Sequence, residues 1–288
     1  MSPEQLLSTP DVMFLEPDED IIEKIYPLLW RNGGDYSENL VVFPNRRPSF
    51  YLRKLIAERQ KRAFLPPVIY SIDEFINWLF KRLFDFRDCE RIDALSILYR
   101  LCLKGDRLAP SFRSLDSFYP FGLRLFRALE ELYIEGVTPE RLKDVETLID
   151  IPEKSGAELR FLSDIYGEFY EELIRKGLST RSLRYRKVSE AEDILSHLRP
   201  FKSIIFAGFY AFTESEKWLM RRIIDRSEDG GRGLYFLFYK GEGLRETLKV
   251  LFGDTFEVEE SKPALSANIR IYSAPDLHGE VKRAGNLI

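Results

Sequence analysis

Short runs of consecutive apolar residues recur along the chain, and most are followed by a stretch whose apolar residues have a helical period. Apolar runs of about four to eight residues, bounded by turn-forming residues, are typical of strands buried on both faces of a parallel sheet. We therefore predict strands at 11–16, 40–43, 203–207 and 234–239, with a shorter one at 68–70. Apolar residues at i, i+3 and i+4 after these runs predict helices with one buried face.

The most informative of these units runs from Leu40 to Arg62. Pro44 ends its apolar run, because proline has no N–H to give to a strand ladder. Pro48 suits the first turn of a helix, since its backbone φ already has a helical value. The helical period then predicts a buried face formed by Leu52, Leu55 and Ile56.

The loop and the opposite face of this helix are rich in arginine and lysine. Between Arg46 and Arg62 there are seven basic residues and one acid. Ligands of open α/β sheets bind beyond the carboxyl ends of the strands, which is where Asn45, Arg46 and Arg47 fall. Two interpretations stay open: a ligand-binding loop, or a solvated helix face that happens to be basic.

Helical patterns replace the strand pattern between Tyr70 and Ser203. They cover 90–104, 114–134, 139–149 and 155–176, with a shorter one at 187–198. The predicted fold class is therefore α/β, with a parallel sheet and an inserted all-helical subdomain. We place the sheet domain at 1–87 and 199–265 and the inserted helical subdomain at 88–198.

The last part of the chain predicts the start of another domain. Short strands are expected at 255–258 and 269–273, and a helix begins at Glu280 and is cut short at Ile288. We expect residues 266–288 to start a truncated second domain, and the chain to be the front part of a longer protein.

Composition narrows the possible functions. The chain has 288 residues, of which 44% are hydrophobic, and its net charge is −4, so a nucleic-acid surface must be a local basic patch. Cys89 and Cys102 have no metal-ligand spacing, which indicates reduced core thiols and a cytoplasmic protein. No apolar run approaches the roughly 18 residues needed to span a membrane.

ATP hydrolysis is not expected from this sequence. A phosphate-binding loop needs glycines and a lysine after the first strand, but Glu16–Asp20 contains four acids and neither residue type. A metal-binding acid is expected after the strand at 203–207, and Gly208 and Phe209 stand there instead. We therefore predict no bound cofactor in this chain.

Other catalytic patterns are weaker still. Asp276 and Glu280 resemble a nuclease signature, but they are too close in sequence to lie on two strands of a hairpin. His197 and His278 lack a partner set for nucleophilic catalysis. An aromatic cluster interleaved with arginines resembles a base-stacking surface, but its helical spacing favours core. It consists of Phe112, Phe118, Tyr119, Phe121 and Phe126 beside Arg113, Arg124 and Arg127.

Five stretches in a fixed order resemble the N-terminal, helicase-like half of AddB-type proteins. These proteins are subunits of bacterial helicase–nucleases related to RecBCD, with a PD-(D/E)XK nuclease domain. The stretches are VVFPNRRPSFYLRKLIAER, LPPVIYSIDEFINWL, AELRFLSDIYGEFYEELIRKGL, SIIFAGFYAFTESEKWLMRRI and IRIYSAPDLHGEVKRAGNLI. The resemblance implies a superfamily 1 helicase-like, P-loop-NTPase-like sheet domain. It also implies a nuclease domain that lies downstream of this chain.

The resemblance also suggests where DNA binds. Asn45, Arg46 and Arg47 match the helicase motif that touches single-stranded DNA, and Tyr70–Phe75 resembles a second strand-lining motif without its histidine. The acids of the metal-binding motif are missing at 206–209, which puts ATPase activity in doubt. The candidate DNA-binding residues are Asn45, Arg46, Arg47, Arg53 and Ser71.

The predicted function is an ATPase-inactive, DNA-binding scaffold in double-strand-break repair. Its implied partners are single-stranded DNA or a duplex end, and an AddA-like helicase–nuclease motor subunit. The whole parent protein is expected to be a subunit of an ATP-dependent exonuclease. Two alternatives stay open: a Rossmann-like enzyme acting on a nucleotide or sugar, and a scaffold that binds only proteins. The second predicts no salt-dependent DNA binding. For Arg46 and Arg47 themselves, the alternative to phosphate binding is that they pair with acids of the helical subdomain and fix its orientation.

Overall fold

A computed structural model describes residues 10–32, 34–104, 114–148, 153–226, 233–241 and 244–253. The strands are β1 Asp11–Leu15, β2 Asn39–Phe43, β3 Val68–Ser71, β4 Arg87–Asp88, β5 Leu178–Ser179, β6 Ser203–Ala207 and β7 Gly233–Tyr239. The helices are α1 Ile21–Ile25, α2 Arg47–Gln60, α3 Ile72–Leu83, α4 Arg91–Lys104, α5 Leu115–Ile134, α6 Pro139–Leu148, α7 Glu153–Arg175, α8 Arg181–Glu190, α9 Ile194–Leu198, α10 Glu214–Arg226 and α11 Leu244–Phe252.

The main sheet has five strands in the order β1-β7-β6-β2-β3, and every pair in it is parallel. The predicted α/β class is confirmed. The prediction that the strands at 40–43 and 203–207 share one sheet is also confirmed, because Val41 lies opposite Ile205. All five residues of β2 and of β6 are buried, as expected for central strands of a parallel sheet.

Helices cover both faces of this sheet. Successive side chains of a strand point to opposite faces. Val41 and Phe43 pack on one side with the buried residues of α1 and α2. Leu40 and Val42 pack on the other side, in a larger core shared with α3, the helical block α4–α9, α10 and α11. Because the helical block shares this core, it is anchored directly on the sheet.

The direction in which successive strands are added across the sheet reverses between β2 and β6. The connections from β1 to β2 and from β2 to β3 run towards one edge of the sheet, and those from β3 to β6 and from β6 to β7 run back. Since parallel crossovers are right-handed, this reversal puts α2 and α10 on opposite faces. Such a switch point leaves a crevice beyond the carboxyl ends of the two strands, between the loops that follow them.

Several local details differ from the prediction. The helix expected at 187–198 is two helices, α8 and α9, and a short sheet pairs β4 with β5 inside the predicted all-helical region. The first helix is a single turn that continues as a 3-10 turn at Tyr26–Leu28.

Several expected elements fall in parts of the chain beyond those that the structure describes. The strands expected at 255–258 and 269–273, the final helix and the segment 266–288 lie outside the described residues. The domain boundaries stay a prediction. Within the described ranges, no helix is long and apolar enough to cross a membrane.

Candidate nucleic-acid interface

The loop after β2 is held by its own short-range hydrogen bonds. The Asn45 side-chain oxygen accepts a hydrogen bond from the Arg47 N–H at 3.1 Å, and the Arg46 carbonyl accepts one from the Ser49 hydroxyl at 2.5 Å. These bonds close the turn that starts α2, so Asn45 acts in the structure as a turn residue. Asn45, Arg46 and Arg47 are all exposed at the carboxyl end of β2, as predicted.

Arg46 makes one ion pair. Its Nε lies 2.7 Å from a carboxylate oxygen of Glu74, in the first turn of α3, while the Arg46 side chain remains 77% exposed. Burial raises the pKa of Glu74, but hydrogen bonds from Ser71 and the charge of Arg46 outweigh it, so the net pKa is lowered. The partner acid therefore lies next to the sheet, and it is not one of the acids of the helical block.

Ser71 is the N-cap of α3 and is only 5% exposed. Its hydroxyl oxygen accepts a hydrogen bond from the Glu74 N–H at 3.4 Å, and the Ser71 N–H donates to the Glu74 carboxylate at 2.8 Å, which together form a capping box. The hydroxyl also donates to that carboxylate at 2.9 Å. The structure thus brings Ser71 to the site through Glu74. Its own hydroxyl is already used in capping.

Two predicted arginines face solvent without an acid. Arg47 and Arg53 are exposed, and neither forms an ion pair with any residue that the structure describes. Lys54, next to Arg53, has an acid nearby, but its ammonium nitrogen and the closest Glu58 carboxylate oxygen are 3.8 Å apart, which makes the ion pair a loose one. The exposed side of α2 therefore carries positive charge that the protein does not neutralise.

The structure adds two aromatic residues that the sequence analysis missed. Phe50 is 67% exposed and Tyr51 is 52% exposed, and their rings meet edge to face at a centroid distance of 5.7 Å. The helical period identifies the buried face of α2, which the structure forms with Leu52 and Ile56, but it does not single out residues on the exposed side. The sequence signal for the pair is two consecutive aromatic residues that lie outside the predicted buried face of a helix rich in arginine and lysine.

A second arginine is held at the start of α3. Arg181, the first residue of α8, places its Nε 2.8 Å from Asp73, and the Tyr185 hydroxyl donates to the same carboxylate at 2.5 Å. Burial raises the pKa of Asp73, but these two hydrogen bonds lower it further than burial raises it. The consecutive acids Asp73 and Glu74 thus hold one arginine from the helical block and one from the loop after β2.

The loop after β1 has the opposite charge and a different arrangement. Glu16 pairs with Lys240, which follows β7, at 2.6 Å, and Glu19 pairs with Lys24 at 2.5 Å. The pKa of Glu19 is lowered mainly by its hydrogen bond with Lys24. These acids are therefore neutralised within the protein.

The carboxylates of this loop also take up its backbone N–H groups. The Glu16 N–H donates to the Glu19 side chain and the Ile22 N–H donates to the Asp20 side chain, both at 2.8 Å. In a phosphate-binding loop, such N–H groups point at the ligand. Here carboxylates of the loop itself accept these two hydrogen bonds.

The loop after β6 contains no acid where a metal-binding motif has one. Gly208 has a left-handed φ of +79°, and its N–H donates to the Leu237 carbonyl at 3.0 Å. Phe209 is buried against Phe206 and Phe212. Tyr210 is 68% exposed and stacks on Tyr239 with ring centroids 6.0 Å apart. The end of β6 is therefore apolar and aromatic.

A cleft of about 400 Å³ lies in the helical block, lined in part by Tyr133, Tyr166 and Tyr170. Two of these hydroxyls already donate to backbone carbonyls, Tyr166 to Val137 at 2.5 Å and Tyr170 to Leu129 at 3.1 Å. Arg186 and Glu190, which also line the cleft, form an ion pair with each other at 2.9 Å. The cleft is therefore a weaker candidate site than the carboxyl edge of the sheet.

The remaining sequence candidates are placed as follows. Phe118 is fully buried and Phe121 and Phe126 pack against the core, so the core interpretation of the aromatic cluster is confirmed for these rings. Tyr119 is exposed, and Phe112 and Arg113 lie outside the described residues.

The cysteines and the possible metal ligands add no chemistry to this edge. Burial raises the pKa of the Cys89 thiol to about 11, and Cys102 is buried. The described ranges contain no cluster of His, Cys, Asp or Glu that could hold a metal ion. Asp276, His278 and Glu280 lie outside those ranges.

Comparison with known proteins assigns no relative to this chain. No model of a known protein family matches it, and no curated protein matches it significantly. The chemistry of the carboxyl edge therefore stands on the residues themselves.

Proposed function

We propose that this chain binds nucleic acid through phosphate contacts at the carboxyl ends of β2 and β3, and does not hydrolyse ATP. The observation that carries the proposal is a rigid loop and helix start with exposed arginines, two of which have no acid partner in the described structure. A guanidinium can bind two phosphate oxygens at once, and a loop fixed by a buried strand holds it in place.

The resemblance to AddB-type proteins gives this binding a context. We propose a DNA-binding scaffold in a bacterial double-strand-break-repair helicase–nuclease, docked on an AddA-like motor subunit. A superfamily 1 helicase-like domain is compatible with the parallel sheet and with the loop at Asn45–Arg47. The acids after β1 and the glycine after β6 support a motor-like domain that has lost its nucleotide site.

The strand order argues against the Rossmann-like alternative. In that fold, the first strand is central and its glycine-rich loop meets the dinucleotide at the switch point. Here β1 is an edge strand, its loop is acidic, and the switch point lies between β2 and β6. The switch point therefore lacks the glycine-rich loop of the first strand that a dinucleotide needs, and the loop after β1 has acids in place of glycines.

Phosphate binding of this kind has a characteristic response to salt. Phosphate contacts position a strand without reading its sequence, so affinity should be tolerant of sequence. Each contact releases counterions, so log K falls linearly with log salt, with a slope of about −0.7 per contact for a single strand.

The double variant Arg46→Ala/Arg47→Ala tests the proposal. We expect weaker binding of a mixed-sequence single-stranded oligonucleotide and a salt slope that is flatter by about 1.4, because two contacts are lost. Fluorescence anisotropy at several salt concentrations measures both quantities. Thermal stability should barely change, because exposed charges contribute little to it.

The matched control is Lys81→Ala/Arg91→Ala. It also removes two exposed positive charges, in the last turn of α3 and the first turn of α4. The control should retain the salt slope of the unchanged protein. A double variant at 46 and 47 that binds like the control but melts several degrees lower shows that the arginines are structural, and the proposal fails.

A further inference from the structure

We propose that Phe50 and Tyr51 stack on unpaired bases, so that this surface takes single-stranded rather than duplex nucleic acid. The inference rests on the proposed function, because it needs the neighbouring arginines to bind the phosphates. It adds recognition of the bases, because phosphate contacts alone do not distinguish a single strand from a duplex.

The two rings are not needed by the core. The buried face of α2 is formed by Leu52 and Ile56, and Phe50 and Tyr51 lie off that face. Among the residues that the structure describes, the one ring contact of each is with the other, at 5.7 Å and nearly perpendicular. Large exposed aromatic side chains are enriched at binding surfaces, where their apolar faces lose contact with water.

The rings lie between positive charges along the helix. Arg47 precedes Phe50 by three residues and Tyr51 by four, and Lys54 follows them at the same spacings, so all four share one exposed side of α2. Arg53 lies beside Phe50 on the same exposed side. Aromatic rings set among cations match a ligand that alternates bases with phosphates.

Charge selects the occupant of this surface. An apolar protein partner that covered the rings would also bury Arg47 and Arg53 without acids, which is costly. A nucleic-acid strand supplies phosphates to the same guanidiniums and bases to the rings. In a duplex the bases are stacked on one another, so their faces cannot reach the rings, whereas an unpaired strand can turn its bases outward.

Tyr210 provides a natural comparison at the same edge of the sheet. It is as exposed as Phe50, but it stacks on Tyr239, whose hydroxyl donates to the Glu19 carbonyl in the acidic loop. Tyr210 therefore borders the loop after β1, whose residues Glu16–Asp20 include four acids and no basic residue. Tyr210→Ala is accordingly the matched control for removing an exposed ring.

The experiment compares Phe50→Ala/Tyr51→Ala with Tyr210→Ala and the unchanged protein. Three ligands of equal length are titrated by anisotropy: an oligothymidylate, an abasic deoxyribose-phosphate strand and a duplex. We expect the unchanged protein and Tyr210→Ala to prefer the oligothymidylate over the abasic strand by roughly tenfold to a hundredfold. The double variant should lose this preference while binding the abasic strand as before.

Each outcome decides between the two proposals. If the double variant keeps the preference for bases, or if the unchanged protein has none, stacking is overturned, while abasic binding that is lost in Arg46→Ala/Arg47→Ala preserves the proposed function. If no strand binds the unchanged protein, both proposals fall. Photocrosslinking of a 5-bromouracil strand adds a direct readout, because a crosslink mapped away from residues 50 and 51 also overturns the inference.

Discussion

The two halves of the carboxyl edge use the same scaffold in opposite ways. After β1, four acids are followed by a single-turn helix. Glu16 is neutralised by Lys240, which follows β7, and Glu19 by Lys24 of α1. After β2, an asparagine turn leads into a long helix whose arginines face solvent. Both loops follow strands of one parallel sheet, so the strands do not explain the difference.

The difference lies in which groups satisfy the loop backbone. In the acidic half, side-chain carboxylates accept the N–H groups, and no positive charge is left for an external anion. In the basic half, Asn45 closes the turn and leaves the arginine side chains unused. The loop residues, and not the strands, therefore decide which charges stay exposed at this edge of the sheet.

The largest expected effect concerns Gly208, which lies between the two halves. Its φ is +79°, while a Cβ placed there meets only Ile21 and Pro44 side-chain atoms at 3.7 and 4.0 Å. Gly208→Ala should therefore cost about 1–2 kcal/mol through backbone conformation rather than collision. Thermal denaturation measures the cost, with Gly241→Ala as the control, because Gly241 has open space and no positive φ. Equal melting temperatures for the two variants would contradict this account.

The next effect concerns the Glu74 carboxylate, which already pairs with Arg46. Glu74→Gln keeps the capping geometry of α3 and removes the charge that holds Arg46. We expect nucleic-acid affinity to rise roughly threefold, because an exposed ion pair of modest strength no longer competes with phosphate. Glu23→Gln is the control, since Glu23 pairs with Arg59 near the other end of α2. Weaker binding by Glu74→Gln would show instead that Glu74 positions Arg46 for the ligand.

A smaller effect separates two capping boxes by their response to pH. Glu216 caps α10 through Thr213 as Glu74 caps α3, but burial raises the pKa of Glu216 while the pKa of Glu74 is lowered. The stability that charged Glu74 provides is present above pH 4.5 and is lost as the pH falls below it. Charging Glu216 is unfavourable in the folded state, so stability falls as the pH rises from 4.5 through its raised pKa.

Glutamine variants at the two positions should therefore show opposite slopes. Relative to the unchanged protein, Glu74→Gln should become less stable as the pH rises towards 4.5, with no further change above it, whereas Glu216→Gln should become more stable as the pH rises above 4.5. Melting temperatures measured from acid to neutral pH give both curves. Slopes of the same sign would show that the local environment of the two acids does not differ as described.

The smallest expected signal is from ATP. Carboxylates occupy the N–H groups of the loop after β1, so calorimetry with Mg-ATP should show no binding in the micromolar range. A single-stranded oligonucleotide titrated into the same sample serves as the positive control. A clear one-to-one isotherm with ATP would contradict the account that the acidic half of the carboxyl edge has no nucleotide site.

Much of the fold was predictable because the local signals agreed. The apolar run of β2, Pro44 and Pro48 define a strand, a turn and a helix within one segment. The capping box at Ser71 is visible from residue types alone. The strand order was not predictable in the same way, because pairing depends on contacts distant in sequence. The two-residue strands β4 and β5 are too short to show a period.

The candidate site was predictable in position but not in detail. The sequence places Asn45, Arg46 and Arg47 after a buried strand, and the structure has them exposed there. The sequence alone does not show that Glu74 pairs with Arg46, since that contact joins segments that follow two different strands. Nor does it show that Ser71 is buried by its own cap, because accessibility is a property of the packed molecule.

The position of β2 between β3 and β6 has a consequence for synthesis of the chain. β3 leaves the ribosome soon after β2, but β6 follows only after the whole helical block. At about 5–20 residues per second, the delay is on the order of ten seconds. Throughout it, one edge of an entirely apolar stretch, Leu40–Phe43, lacks its neighbour and is a template for aggregation. The same insertion that anchors helices on the finished sheet therefore leaves one edge of β2 unpaired in the nascent chain until the helical block has been made.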